Sequence, residues 1–308
     1  MEPDRVPAGF WFHYPRGSPW RTRAQAHVDL CRSVGTDIIK IMDDNFGRFF
    51  TQGIRIEKAS DWRHIRLPGK DCAHYRHMTG LIQRILDKSG GEAMVFPTMW
   101  SPFKIASFTY TDGGGTDQQF MAHCKEDPAS VLEGVRALTE TLQEWARDYL
   151  ELGSSGLYYS GQFSEPQRFS EEEWARLVKP SDLAVLEVTK EILGKYNMRP
   201  YLWRDGVWLP VLPPAVCRGI LGTWFNWDVH RAGLSLEEGR ELFQKPILGG
   251  LDNHGVLVEG SLEAIRQETL KIIKAMGKRG FMLGADCTVP GEIDWARLRA
   301  AVEAAAEV

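Results

Sequence analysis

The sequence predicts an α/β protein built as a (β/α)8 TIM barrel. Three observations carry this expectation. Eight short, mostly apolar runs recur along the chain, amphipathic segments with helix start and stop signals lie between them, and neither GxGxxG nor GxxxxGK follows any run. Short apolar runs without polar alternation suit parallel strands covered by helices on both faces. A doubly wound open sheet is the structural rival, and the missing glycine motifs remove the usual reason to prefer it.

The strand candidates are AGFWF (8–12), DIIKIM (37–42), AMVFP (93–97), GLYYS (156–160), RPYLW (199–203), GILGTWF (219–225), PILGG (246–250) and GFMLG (280–284). The helices are marked by their ends. Asp127-Pro128 opens a segment with Val131, Leu132, Val135, Leu138, Leu142, Trp145 and Tyr149 on one stripe, closed by Gly153. Ser170 and Glu173 form a capping box ahead of Trp174, Leu177 and Val178. Pro180 restarts the path, and Leu183 to Leu193 continues as helix. Ser261 opens a helix through Ile265, Ile272, Ile273 and Met276, and Asp294 opens the last, with Leu298, Ala301 and Val302 inside. Residues 51–90, polar and carrying Trp62, His64, His74 and His77, read as an insertion or lid, and TYTDGGGTDQQF (109–120) reads as a flexible loop. No Ser/Pro/Gly-rich linker divides the chain, so residues 1–308 are expected to form one domain.

With 308 residues, 43 % of them hydrophobic and 25 % charged, the chain has the balance of a globular protein with a large core. A formal charge of −4 gives no support for a nucleic-acid or anionic-membrane surface. Five cysteines, an odd number without a CxxC, argue against a disulfide framework or a closed structural zinc site. No signal-peptide pattern and no stretch of about 18 apolar residues is found. The default expectation is a reducing, cytoplasmic compartment.

A barrel gathers its active site at the C-terminal ends of its strands, and that rule selects the candidates. They are His13, Arg16, Arg21 and Arg23 after the first run, Asp43 and Asp44 after the second, and Trp100, Phe108 and Tyr110 after the third. Glu165 follows the fourth, Asp205 the fifth, Trp227, Asp228 and His230 the sixth, Asp252 and His254 the seventh, and Asp286 and Cys287 the eighth. Arginines in this set suit carboxylates through paired hydrogen bonds, and the aromatics suit a flat or apolar ligand. Cys287, Asp205 and Glu165 could converge on zinc through sulfur and oxygen, although their spacing is not compact. The bland reading of the same set is a rim of polar groups paired with one another.

Several segments resemble the uroporphyrinogen decarboxylase superfamily: DRVPAGFWFHYPRG (4–17), GTDIIKIMDD (35–44), SPFKIASFTYTDGG (101–114), PILGGLDNHGVLVEGSLEAI (246–265) and GFMLGADCTVPGEIDWARLRAAVEAA (280–305). The resemblance implies the barrel, a homodimer, and one of two chemistries. The first is cofactor-independent removal of carboxyl groups from a tetrapyrrole, with an aspartate steadying the protonated ring and arginines holding the side-chain carboxylates. Asp43 or Asp44 would take the aspartate role, with Arg16, Arg21 and Arg23 as the arginines. His13 falls where the family has its first arginine, Phe108 where it has a tyrosine (Tyr110 is two residues on), and Asp286 near its late histidine. The second chemistry is methyl transfer from a corrinoid to a zinc-activated thiolate. Cys287 in ADCTVP matches that branch, whereas Trp203-Arg204-Asp205 stands where it has His-x-Cys.

These departures imply a divergent enzyme, decarboxylase-like, acting on a carboxylated substrate less anionic than a tetrapyrrole. Its expected catalytic residues are Asp43, Asp44, Tyr110 and Asp286. His13, Arg16, Arg21, Arg23, Phe108, Trp100, Trp227, Asp252 and His254 are expected to bind substrate. The alternatives are a zinc-dependent methyltransferase, with Cys287, Asp205 and Glu165 on the metal and a corrinoid protein as partner, and an inactive binding subunit.

Overall fold

A computed structural model describes residues 4–15, 18–44, 55–112, 114–163, 168–195 and 224–308. In chain order it contains β1 (Ala8–Gly9), α1 (Trp20–Val34), β2 (Ile38–Ile41), a 3-10 helix (Ala59–His64), α2 (Ala73–Ser89), β3 (Met94–Trp100), α3 (Pro102–Asp112), α4 (Asp117–Glu126), α5 (Pro128–Glu151) and β4 (Tyr158–Ser160). There follow α6 (Glu171–Leu177), α7 (Lys179–Lys195), α8 (Val229–Ala232), α9 (Leu236–Phe243), β5 (Ile247–Leu251), α10 (Val256–Glu259), α11 (Leu262–Met276), β6 (Phe281–Ala285) and α12 (Trp295–Ala306).

The closed eight-stranded barrel is not what forms. The described residues carry six strands in two separate three-stranded parallel sheets, ordered β1-β6-β5 and β2-β3-β4. β1 and β2 touch at Asp37 without forming a ladder. There Asp37 donates its N–H to Ala8 O at 2.8 Å, but its carboxylate also takes the Ala8 N–H at 2.8 Å and is itself held by Arg5. The Ala8 N–H is thus taken by a side chain and not by a strand carbonyl. The fifth predicted run, 199–203, lies outside the described residues, as does most of the sixth, of which Phe225 makes an isolated parallel bridge to Ile247.

Helix ends follow the local signals. Asp127 accepts from Ser130 N–H ahead of Pro128, and α5 then runs 24 residues with Val131, Val135, Leu138, Leu142 and Trp145 inward. Full burial of each such side chain is worth roughly 1.5–3 kcal/mol, which is what seats this long helix. Ser170 and Glu173 close their capping box, and Ser261 and Asp294 cap α11 and α12. The loop expected over 109–120 is far shorter. Residues 109–112 finish α3, and Thr116 with Gln119 caps α4. The turn needs glycine at 115, because a Cβ there would stand 2.2 Å from the Tyr110 ring. In the 51–90 region the 3-10 helix buries Trp62 beneath α5, and α2 packs against α1. Among the described residues no helix is long and apolar enough to cross a membrane.

Candidate active site

Parallel strands send their following loops to one end, so side chains distant in sequence meet there. At that end a cavity of about 730 Å³ is lined by His13 after β1, Gln162 after β4, Asp228 and Arg231 around α8, Asn253 and His254 after β5, and Cys287 to Glu292 after β6. Of the residues predicted for the site, His13, Asp228, His254 and Cys287 line it. Asp252 stands just behind, taking the His254 N–H at 2.9 Å.

The wall carrying His13 is the most thoroughly built. His13 Nδ1 lies 2.5 Å from Asp44 Oδ1, which leaves Nε2 as the ring nitrogen available to a ligand. Asp44 Oδ2 accepts the Tyr14 N–H at 3.0 Å and is ion-paired with the Arg23 guanidinium, which also donates to Met42 O at 3.2 Å. The side chains of Arg23 and Asp44 are 1 % and 4 % exposed, against 63 % for His13, so a buried ion pair stands behind an open imidazole. Burial pushes the Asp44 carboxyl up, but the His13 hydrogen bond, the Arg23 charge and the Tyr14 N–H together hold it below the ordinary carboxylate range. His27 locks the assembly from behind. Its Nδ1 meets Arg23 O at 2.7 Å and its Nε2 accepts the Met42 N–H at 3.2 Å.

Asp43 and Asp44 are turned apart. Neighbouring residues of an extended chain face opposite ways. Asp44 turns to His13, while Asp43 turns under α2, where its Oδ2 lies 3.4 Å from His74 Nε2. His74 stacks on Trp145 and is held neutral, its pKa lowered to about 3 by burial and by nearby His77.

A second His–Asp pair stands at the end of β6. Asp286 is fully buried, and its Oδ2 receives both the His230 ring nitrogen Nδ1 at 2.6 Å and the His230 N–H at 3.1 Å. Its Oδ1 has no hydrogen-bond partner among the described residues. Burial raises the Asp286 carboxyl despite the His230 hydrogen bonds, with Asp228 adding to the rise. The bond to Asp286 raises His230 in turn, assisted by Asp252 and Asp228.

Other predicted residues lie elsewhere. Tyr110 is buried against Trp62 and His123. Trp227 is 1 % exposed and donates its ring N–H to Leu234 O, packed on Phe243. Arg21 lies on the exposed face of α1 over the Trp20 ring, and Trp100 meets Phe108 edge-on at 5.4 Å. Arg16, Asp205 and Glu165 lie outside the described residues. Two of the three zinc-ligand candidates are thus not placed, and among the described residues no three His, Cys, Asp or Glu side chains could hold a metal. The described neighbours of Cys287, with Thr288 Oγ1 at 3.9 Å, do not make a zinc site. Sequence reasoning passed over Arg231 and His27. The Asp228-to-Arg231 helix cap and the four-residue step from Arg23 to His27 were the available signals.

Fold and site together define a parallel α/β protein with ionisable side chains gathered around one cavity at its strand ends. Residues 42–308 match the uroporphyrinogen decarboxylase (URO-D) family, and the chain belongs to that family. No curated protein sequence matches it. Among solved structures it resembles a methyltransferase from Methanosarcina mazei, with TM-score 0.77 at 13 % identity over 99 % of this chain and 94 % of that one. It also resembles a B12-independent methionine synthase from Shewanella sp. W3-18-1, with TM-score 0.58 at 12 % identity over 99 % and 94 % of the two chains. A putative vitamin-B12 independent methionine synthase from Listeria monocytogenes gives 0.53 at 14 % identity over 94 % and 86 %. At such identities these likenesses speak for a shared fold.

Proposed function

We propose that this chain is a decarboxylase-like enzyme of the URO-D family that acts on a small carboxylated substrate by acid–base chemistry. The observation that carries the reading is the Arg23–Asp44–His13 chain, which ends in an imidazole on the cavity wall. In this reading Arg231 and His254 hold the substrate carboxylates. The bond from the departing carboxyl carbon breaks, CO2 leaves, and the electron pair stays on the substrate carbon, whose own electron-poor ring or protonated nitrogen is the sink. His13 Nε2 then delivers the proton, and Asp44 steadies the imidazolium before it gives that proton up.

The substrate class follows from charge. The cavity sets Asp228 and Glu292 beside Arg231, His13 and His254, while Arg23 is already committed to Asp44. That balance disfavours a ligand with eight carboxylates and suits one with one or two. The test is a panel of small carboxylated ring compounds, with uroporphyrinogen included, assayed for CO2 release and for product mass. Turnover of a small member, reduced at least a hundredfold in His13→Gln, is expected. Decarboxylation of uroporphyrinogen would overturn the substrate assignment, and full turnover by His13→Gln would overturn the mechanism.

One observation favours methyl transfer as a second reading. Cys287 lies on the cavity wall, and the solved structures of similar fold named above include a methyltransferase and two methionine synthases. Elemental analysis separates the readings, since stoichiometric zinc lost in Cys287→Ala would support methyl transfer.

A further inference from the structure

We infer that His27, a residue outside the cavity, is the positioning residue that sets the tautomer of His13. The inference rests on the reading of His13 as the proton-transfer group, but its test reads the imidazole directly and needs no substrate.

Three separate pieces of chain meet around Asp44: Tyr14 beyond β1 and Arg23 on α1 bond to its carboxylate, and Arg23 also donates to Met42 O beyond β2. His27 touches all three. Its ring packs on Tyr14 at a centroid distance of 4.3 Å, tilted by 34°, its Nδ1 lies 2.7 Å from Arg23 O, and its Nε2 takes the Met42 N–H. A carbonyl oxygen has no proton to give, so Nδ1 carries the hydrogen and Nε2 the lone pair. That requires a neutral ring, and burial supplies it, lowering the His27 pKa to about 4. The Met42 N–H is the first donor past the β2 ladder, which pairs Ile38–Ile41 with β3. Without His27 it has no strand partner to turn to, and Asp44 sits only two residues further on. A shift there would carry the carboxylate away from His13, whose Nδ1–H it keeps in place. A neutral imidazole released from such a partner no longer has its proton directed to Nδ1.

The test uses the full chain with 15N-labelled histidine. The nitrogen shifts of neutral His13, assigned by comparison with His13→Asn, report which ring nitrogen carries the proton. In the unaltered protein the Nδ1–H tautomer is expected to dominate. In His27→Phe, which keeps a ring packed on Tyr14 and removes both hydrogen bonds, its ratio to the Nε2–H form is expected to fall at least fivefold. His27→Gln, with one acceptor and one donor on its amide, is expected to restore part of it. A purely structural role would lower the melting temperature and leave the His13 tautomer unmoved, and that result in folded His27→Phe would overturn the proposal. Should His27→Phe not fold, hydrogen exchange at the Met42 amide of the unaltered protein decides. Protection matching the Ile39 to Ile41 amides is expected, and exchange at the rate of an open loop would overturn it.

Discussion

Two His–Asp pairs stand at the strand ends, and they differ in the charge that burial permits. Asp44 and Asp286 are both withdrawn from water and both meet a histidine Nδ1, at 2.5 and 2.6 Å. Asp44 also has a buried guanidinium and a main-chain N–H on its second oxygen. Among the described residues Asp286 has no arginine beside it and its second oxygen is unpaired. The desolvation penalty has the same sign at both sites. At Asp44 the countercharge outweighs it, and at Asp286 it does not, so one carboxyl is held below its usual range and the other above it. The histidine is common to both pairs, and the Arg23 guanidinium is what turns the balance at Asp44.

Removing Arg23 is the most severe way to break this contrast. Arg23→Met leaves Asp44 buried without its countercharge, and a loss of about 3–5 kcal/mol in chemical denaturation is expected. Its companion Arg23→Met/Asp44→Asn should recover part of that loss, because the stranded charge is gone.

Exchanging the carboxylates for amides comes next. Asp44→Asn gives up charge-assisted bonds to Arg23 and His13, and should cost roughly 1.5–3 kcal/mol at pH 7. Asp286→Asn keeps an acceptor for His230 and removes a group that resists ionisation, so a change within about 1 kcal/mol is expected. Equal losses in the two variants would erase the distinction drawn between the sites.

The pH dependence sharpens the same comparison. The folded state depresses the Asp44 pKa, so its stabilisation is present above the unfolded value near 3.9 and is lost as pH falls through the lower folded value. The folded state raises His230, so its stabilisation is complete below the unfolded value near 6.5 and is lost as pH rises through the higher folded value. Melting curves of His230→Gln should therefore lose part of the alkaline decline above about pH 6.5 and retain the acid one. The smallest expected effect is at Tyr110. Tyr110→Phe should change turnover less than twofold, because the ring is packed against Trp62 and His123 and does not line the cavity.

What the sequence disclosed was whatever short-range chemistry decides. Ser170 with Glu173, Ser261, Asp294 and Asp127-Pro128 each act within three or four residues, and each lies where the structure starts a helix. Closure of the sheet is a long-range property. The sequence showed a strand at DIIKIM (37–42), but not that the Asp37 carboxylate reaches back 29 residues to occupy the Ala8 N–H. The site divides in the same way. Strand-end position drew attention to His13, Asp44, His254 and Cys287. The 31-residue separation of His13 and Asp44 hid their pairing, and Asp43 and Asp44 offer identical chemistry until the fold turns them apart. Tyr110 and Trp227 were misleading because an aromatic at a strand end packs into a core as readily as onto a ligand.

The two buried carboxyls are shifted in opposite directions, and a carboxyl-13C NMR titration of aspartate-labelled protein measures both shifts directly. Asp44 is expected to remain ionised to below the ordinary aspartate value near 3.9 and Asp286 to hold its proton above it. Titration of Asp44 at or above Asp286 would contradict the account, and with it the role given to Arg23 behind His13.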